Sequence, residues 1–488
     1  MSFAHECLRY TPNSFGCRFF GNRVLSVVVL CAAFAACAGL QAQEIATIID
    51  LDNGDTVPDF SFGLELTRDG TGLYAAVPGD IFSPNRRIVE IDTSSDTVVG
   101  DGQTGLFPEE VAIRYDLQGL VETIFVSNNS DGTVSVLDPN LTPIGLIDLT
   151  VVGGYYPFGL LIGPDDRYLY VSTVNAGEIF RIDTDPGPTY LQIVDTYYVA
   201  AFNGRLALHG NKLVIPGTDW LLGAVLSVLD VDNPTQVETI VLDGNTAGWP
   251  GANDLVVVPG GFAYVPVLDF NSSGLLYEVD LEQTPPLISR TIDMLGTHVE
   301  IYEHGVDASL DGNTLVVTCI DGPLMIVGRK AGCVLSELDL SAYAAGQGNE
   351  ALFSSDGRKV YVSDQGGPNI FVIEGVPQHG LLLSGTQSAP LGGQADFALR
   401  GGEVGEQGVL IASLNLGPTP FPEFTLELGV PMRTIHQDRF DAGNDLAIPT
   451  LNVPNWPGLV GRSVYLQGLT RDTDGEIRPS NLHELSVQ

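Results

Sequence analysis

PFGLLIGPDDRYLYVSTVNAGEIFRIDTDPGPTYLQIVDTYYV, residues 157–199, reads as four strands written end to end. An apolar run opened by Gly159 breaks at Asp165-Asp166, residue types suited to a tight hairpin. YLYVS follows, then a polar loop, then EIFRID, then LQIVDTYYV. Alternation at period two within each run predicts strand rather than helix. The pattern occurs seven times between Glu44 and Gln378. Its second strand appears as Leu73-Tyr74-Ala75, Ile124-Phe125-Val126, Leu169-Tyr170-Val171, Leu213-Val214-Ile215, Ala263-Tyr264-Val265, Leu315-Val316-Val317 and Val360-Tyr361-Val362. A repeat of about 45 residues with four short strands is the mark of a β-propeller blade.

The seventh copy ends after NIFVIE and lacks its outer strand, while EIATIIDL (44–51) reads as an outer strand with no blade before it. Pairing the two removes an open sheet edge. The expectation is an all-β chain: a seven-bladed β-propeller over 43–377, closed by an N-terminal strand. Beyond the linker GVPQHG (375–380) the period is lost. Runs such as QADFALRG, VLIASLNLG and SVYLQGL make 381–488 a candidate β-sandwich, Ig-like in general architecture and without cysteine.

YLYVSTVNAGEIFRIDT (168–184), KVYVSDQGGPNIFVIE (359–374) and TIFVSNNSDGTVSVLD (123–138) resemble the YVTN-type family of seven-bladed propellers, which are secreted by bacteria. Blades four and six depart from the pattern, with LVIPGTDW and LVVTCIDG. The resemblance implies the fold. It leaves function open, because the family includes enzymes, binding modules and cell-surface proteins.

The 488-residue chain carries 60 acidic and 22 basic residues, a net charge of −38. Such a surface repels phosphate backbones, so nucleic acid is excluded as a partner. Residues 1–42 read as a signal peptide: Arg9, Arg18 and Arg23 precede an apolar run from Val24 to Ala38, and Leu40-Gln41-Ala42 offers a cleavage point. The mature protein is therefore expected in the periplasm, at the cell surface or outside the cell. Lipid anchoring at Cys37 is the alternative, and no later segment could span a membrane. Cys319 and Cys333 fall at opposite ends of a strand, too far apart for a disulfide. They should be free thiols.

Blade topology puts the loops after second strands and the loops between blades on one face. Several of the longest loops lie there, including 217–224 and 243–252, so that face is the candidate for binding a protein or glycan. Trp220, Trp249, Asp219, Asn253 and Arg205 are its candidate ligand-binding residues. Both Trp rings could equally fill space between blades.

Aligning the copies on their Asp/Gly turns gives one starting position per inner strand: Gly63, Glu110, Gly159, Gly204, Asp254, Gly305 and Glu350. His304 sits one residue before. Glu110, Asp254 and Glu350 are thus candidate ligands for a hard cation such as Ca²⁺. A wet polar channel is the competing reading. Nucleophile elbow, phosphate loop, CxxC and HExxH are all missing from the sequence. An exported binding or scaffold protein is therefore the leading expectation. The alternative is a metal-dependent lactone hydrolase or lyase with His304 as general base. Asp92, Asp138, Asp183, Asp230 and Asp280, which recur after third strands, are expected to cap turns.

Overall fold

The computed structural model describes residues 43–80, 82–174, 177–199, 202–244, 251–267, 274–294, 305–319, 323–343, 346–420, 425–471 and 476–488. The leader, Trp249 and His304 lie outside them. The described residues form an all-β, propeller-like fold with no α-helix. None of their helices is long and apolar enough to cross a membrane.

Each copy of the repeat folds into one antiparallel sheet in sequence order, as in Pro157–Ile162, Tyr168–Thr173, Glu178–Asp183 and Gln192–Tyr198. Among the described residues there are seven such sheets before Gly375. The seventh runs Gly348–Phe353, Lys359–Asp364, Asn369–Glu374 and then Glu44–Asp50, with Glu44 opposite Glu374 and Asp50 opposite Asn369. The expected closing pair is present.

Period-two alternation gives each sheet two apolar faces, and neighbouring sheets bury them against each other. Tyr361, Ile370 and Val372 of the last sheet pack on Leu64, Leu73 and Val89 of the first. At ~25 cal/mol per Å² of apolar surface removed from water, these clusters are the main favourable term.

The inner strands approach one another at backbone distance. Gly63 N–H donates to Glu109 O at 2.8 Å, and Arg205 N–H to Asn253 O at 2.8 Å. A Cβ on Gly63 would lie 2.1 Å from Glu109 O, and one on Gly204 would lie 1.9 Å from Asn253 O. Glycine opens these strands because the next sheet leaves no room for a side chain.

The serine of the YVS signature has a definite task. The inner strand bulges between Pro108 and Val111, Pro157 and Leu160, and Gly348 and Ala351. Each bulge frees an N–H from the ladder. Ser127, Ser172 and Ser363 accept those of Glu110, Gly159 and Glu350 at 3.0, 2.8 and 2.9 Å. Two of these hydroxyls then donate onward to the next sheet: Ser127 to Phe158 O at 2.8 Å and Ser172 to Gly204 O at 2.7 Å. Thr318 donates equivalently to Asn349 O at 2.5 Å.

The recurring aspartates cap turns as expected. Asp138 accepts from the N–H groups of Asn140 and Thr142, both at 2.9 Å, and Asp230 from Asp232 at 2.9 Å. Cys319 is buried, Cys333 is half-buried, and both are free thiols.

Among the described residues four further sheets follow Gly375, and the two largest share one core. Leu383, Phe397 and Leu399 come from a three-stranded sheet, and Leu410, Leu466 and Leu485 from a five-stranded one. The segment expected to link the regions is pinned. His379 Nδ1 lies 2.5 Å from Asp311 Oδ2, and Gly380 N–H donates to Thr314 Oγ1 at 2.8 Å. Arg478 and Glu406 form a fully buried pair at 2.9 Å, and Arg478 also reaches His379 O at 3.4 Å.

Candidate functional site

The bulges decide where the acids go. They turn Glu110 and Glu350 inward from equivalent positions of the second and seventh copies, and the interrupted inner strand of the fourth sheet brings Arg205 among them. That strand is split into Phe202–Asn203 and Ala207–His209. Arg205 Nη1 lies 2.7 Å from Glu350 Oε1, and Nε lies 3.8 Å from Glu110 Oε2. Glu110 and Asp254 are 1% exposed and Glu350 is 0% exposed.

The expected cation-binding acids therefore surround a guanidinium. Glu350, Glu110, Asp254 and Glu65, largest first, all hold the Arg205 guanidinium protonated against the cost of its burial, well above its ordinary range. Among the described residues no three His, Cys, Asp or Glu side chains come together as a metal cluster. Arg205, expected on a ligand-binding face, is the internal counter-ion of this cluster.

Two acids also join sheets. Glu350 accepts the N–H of Leu64 on the first sheet. Asp254 accepts Val306 N–H at 2.6 Å and Leu255 N–H at 2.7 Å. Asp307 repeats the device two residues further along its strand, accepting Phe353 N–H at 2.7 Å. A carboxylate that accepts a backbone N–H of the adjacent sheet replaces a ladder partner lost at the strand's open end.

One guanidinium does not balance all of these acids. Burial, with the negative charge of Glu110 and Asp307 added and Arg205 opposing, pushes the Glu65 carboxyl up to about 8. Burial pushes Glu109 up to about 8 against a hydrogen bond from Asn129, and Asp307 up to about 6. Buried acids with displaced pKa values mark candidate functional positions, although structural networks produce them too.

A cavity of about 340 Å³ lies between inner strands of the first four sheets. Its floor is Glu65, Glu110 and Arg205, and it extends to Arg68, Tyr115 and Asp166 in the short turns after the inner strands. It therefore reaches the acids from the face opposite the long loops. The sequence gives no sign of this opening, because the residues that form it are ordinary turn and strand residues.

On the long-loop face, Trp220 occupies the tip of the hairpin formed by Lys212–Asp219 and Gly223–Asp230. Asp219 Oδ1 accepts the N–H groups of Leu221 and Leu222 at 2.8 and 3.0 Å, so this candidate ligand residue shapes the turn. Trp220 is 55% exposed and meets Phe202 edge-on at 4.8 Å between ring centres. Asn253 is half-buried and contributes its backbone carbonyl to Arg205.

No family model matches the chain, and no curated protein matches it. Among solved structures it is similar to Kuenenia stuttgartiensis hydrazine synthase, a protein that contains a β-propeller. The TM-score is 0.54 at 15% sequence identity, over 66% of this chain and 97% of that one. At such identity the likeness is one of fold alone.

Proposed function

We propose that this chain is an exported binding protein: a YVTN-type seven-bladed β-propeller with a C-terminal Ig-like β-sandwich. Its long-loop face takes up a protein or glycan. The observation that carries the reading is the position of Arg205. A metal hydrolase or lyase built on Glu110, Asp254 and Glu350 needs a cation with open coordination positions where this guanidinium lies, 2.7 Å from Glu350. The acids have a structural use instead, joining adjacent sheets.

Binding is supported by the hairpin tip Trp220-Leu221-Leu222, whose residues are 55%, 87% and 44% exposed while their turn is fixed by Asp219. A rigidly presented aromatic is the usual anchor of a sugar ring or a peptide side chain. The residue 43–488 protein, screened against glycans and extracellular proteins, should yield a ligand whose affinity falls at least tenfold in W220A with an unchanged urea midpoint. It should not hydrolyse lactones with or without Ca²⁺. Metal-dependent lactone turnover that is lost in E350Q would overturn this reading in favour of the hydrolase.

A further inference from the structure

The cavity on the opposite face has a chemistry of its own. Its floor presents Glu65 and Glu110 beside Arg205. Arg205 is already engaged, at 2.7 Å from Glu350, and it faces Glu110, Asp254 and Glu65 as well. Asp307 adds its field to Glu65. The surroundings of the floor are therefore acid-rich, with one guanidinium shared among several carboxyls. The Glu65 side chain has no hydrogen-bond or ion-pair partner among the described residues, and it lines the open space. Polar capacity is also left open in the same ring of strand starts. Among the described residues the buried carboxamides of Asn203 and Asn349 have neither their oxygen nor their nitrogen paired.

Above the floor, hydrocarbon from side chains such as Val111, Ile113 and Leu160 forms part of the wall, the Arg68–Asp166 ion pair at 3.0 Å forms another part, and Tyr115 stands at the rim with Arg68 stacked over its ring at 4.1 Å. An anion would meet excess negative charge. A hard metal ion would find too few oxygens, since it requires roughly six or more at 2.0–2.6 Å, the aliphatic side chains supply none, and the Asp166 carboxylate is already paired with Arg68. An ammonium group needs only about three acceptors, and its carbon chain gains from apolar walls. The volume lies within the ~300–1,000 Å³ usual for small-molecule pockets.

We propose that this cavity is a binding site for a small organic ammonium ion, its charge on Glu65 and Glu110 and its hydrocarbon body against Ile113 and Leu160. The site is independent of the long-loop face.

Calorimetric titration of the residue 43–488 protein at pH 8 tests it with three probes of one shape: 2-phenylethylammonium, 2-phenylethanol and 3-phenylpropanoate. The ammonium should bind at least tenfold tighter than the alcohol, and the carboxylate should not bind. E65Q should weaken the ammonium at least tenfold while keeping the wild-type urea midpoint or raising it, because the substitution removes a buried carboxyl. W220A should leave ammonium binding unchanged. Equal affinity for ammonium and alcohol, undiminished binding in E65Q, or competitive displacement by Ca²⁺ would each overturn the proposal.

Discussion

Replacing Arg205 with Met keeps most of the side-chain volume and removes the charge. The guanidinium lies 2.7 Å from Glu350 and 3.8 Å from Glu110, and both acids are at most 1% exposed. Removing one partner of a buried pair costs about 3–5 kcal/mol, because the remaining charge has no compensation. Here the remaining charges can discharge. Without Arg205 the folded-state pKa values of Glu110 and Glu350 rise, so the folded protein holds protons that the unfolded chain, titrating near 4.3, has released. Stability then falls as pH rises through that window and returns as pH falls towards the unfolded value. R205M should therefore lose about 3–5 kcal/mol at pH 8 and clearly less at pH 5, measured by urea unfolding at both pH values. A loss that is equal at the two pH values would refute the electrostatic account and leave Arg205 as a packing residue. A stable R205M that binds calcium would show that the guanidinium merely occupies a metal site.

Ser172→Ala removes both the acceptor of Gly159 N–H at 2.8 Å and the donor to Gly204 O at 2.7 Å. It should cost about 1–3 kcal/mol in urea unfolding, as buried groups left unpaired do; Ser172→Thr should recover part of the loss. In the wild type, Asp307 titrates at about 6 and Glu65 and Glu109 at about 8, all raised by burial. Such groups favour the folded state at low pH and lose that contribution as pH rises through their folded values. The urea midpoint should therefore decline between about pH 4 and pH 8, most steeply below about pH 6 where all three groups contribute, with a shallower decline in E109Q.

The repeat was legible because the same physics acts on every copy. Apolar alternation, Asp/Gly turns and capping aspartates are local, and they gave the sheets, their order and the pairing of Glu44–Asp50 with Asn369–Glu374. The separation of Cys319 from Cys333 followed from strand direction alone. The acids of the strand starts were also found by alignment, since the bulges recur at equivalent positions. Their meaning was not. Alignment places Arg205 one residue past Gly204 and says nothing of its reach to Glu350 on the last sheet. The hydroxyls of Ser127, Ser172 and Thr318 sat in plain view within the signature, but their onward bonds join residues of different copies, which no local pattern encodes. The cavity over Glu65 depends on four inner strands at once.

The pairing of Glu44–Asp50 with Asn369–Glu374 also fixes an order of events. During synthesis Glu44–Asp50 emerges before its partner, which is among the last of the repeats. Until then Asn369–Glu374 has no outer neighbour, and Glu44–Asp50 waits across more than three hundred residues of chain. The entropic penalty of that long closure grows only slowly with length, but its delay leaves a strand edge open to pairing with another chain. A circular permutant that places Glu44–Asp50 directly after Glu374 would make the contact a local hairpin. The native connectivity instead makes the first segment the latch for the last sheet, so an incompletely synthesised chain cannot close.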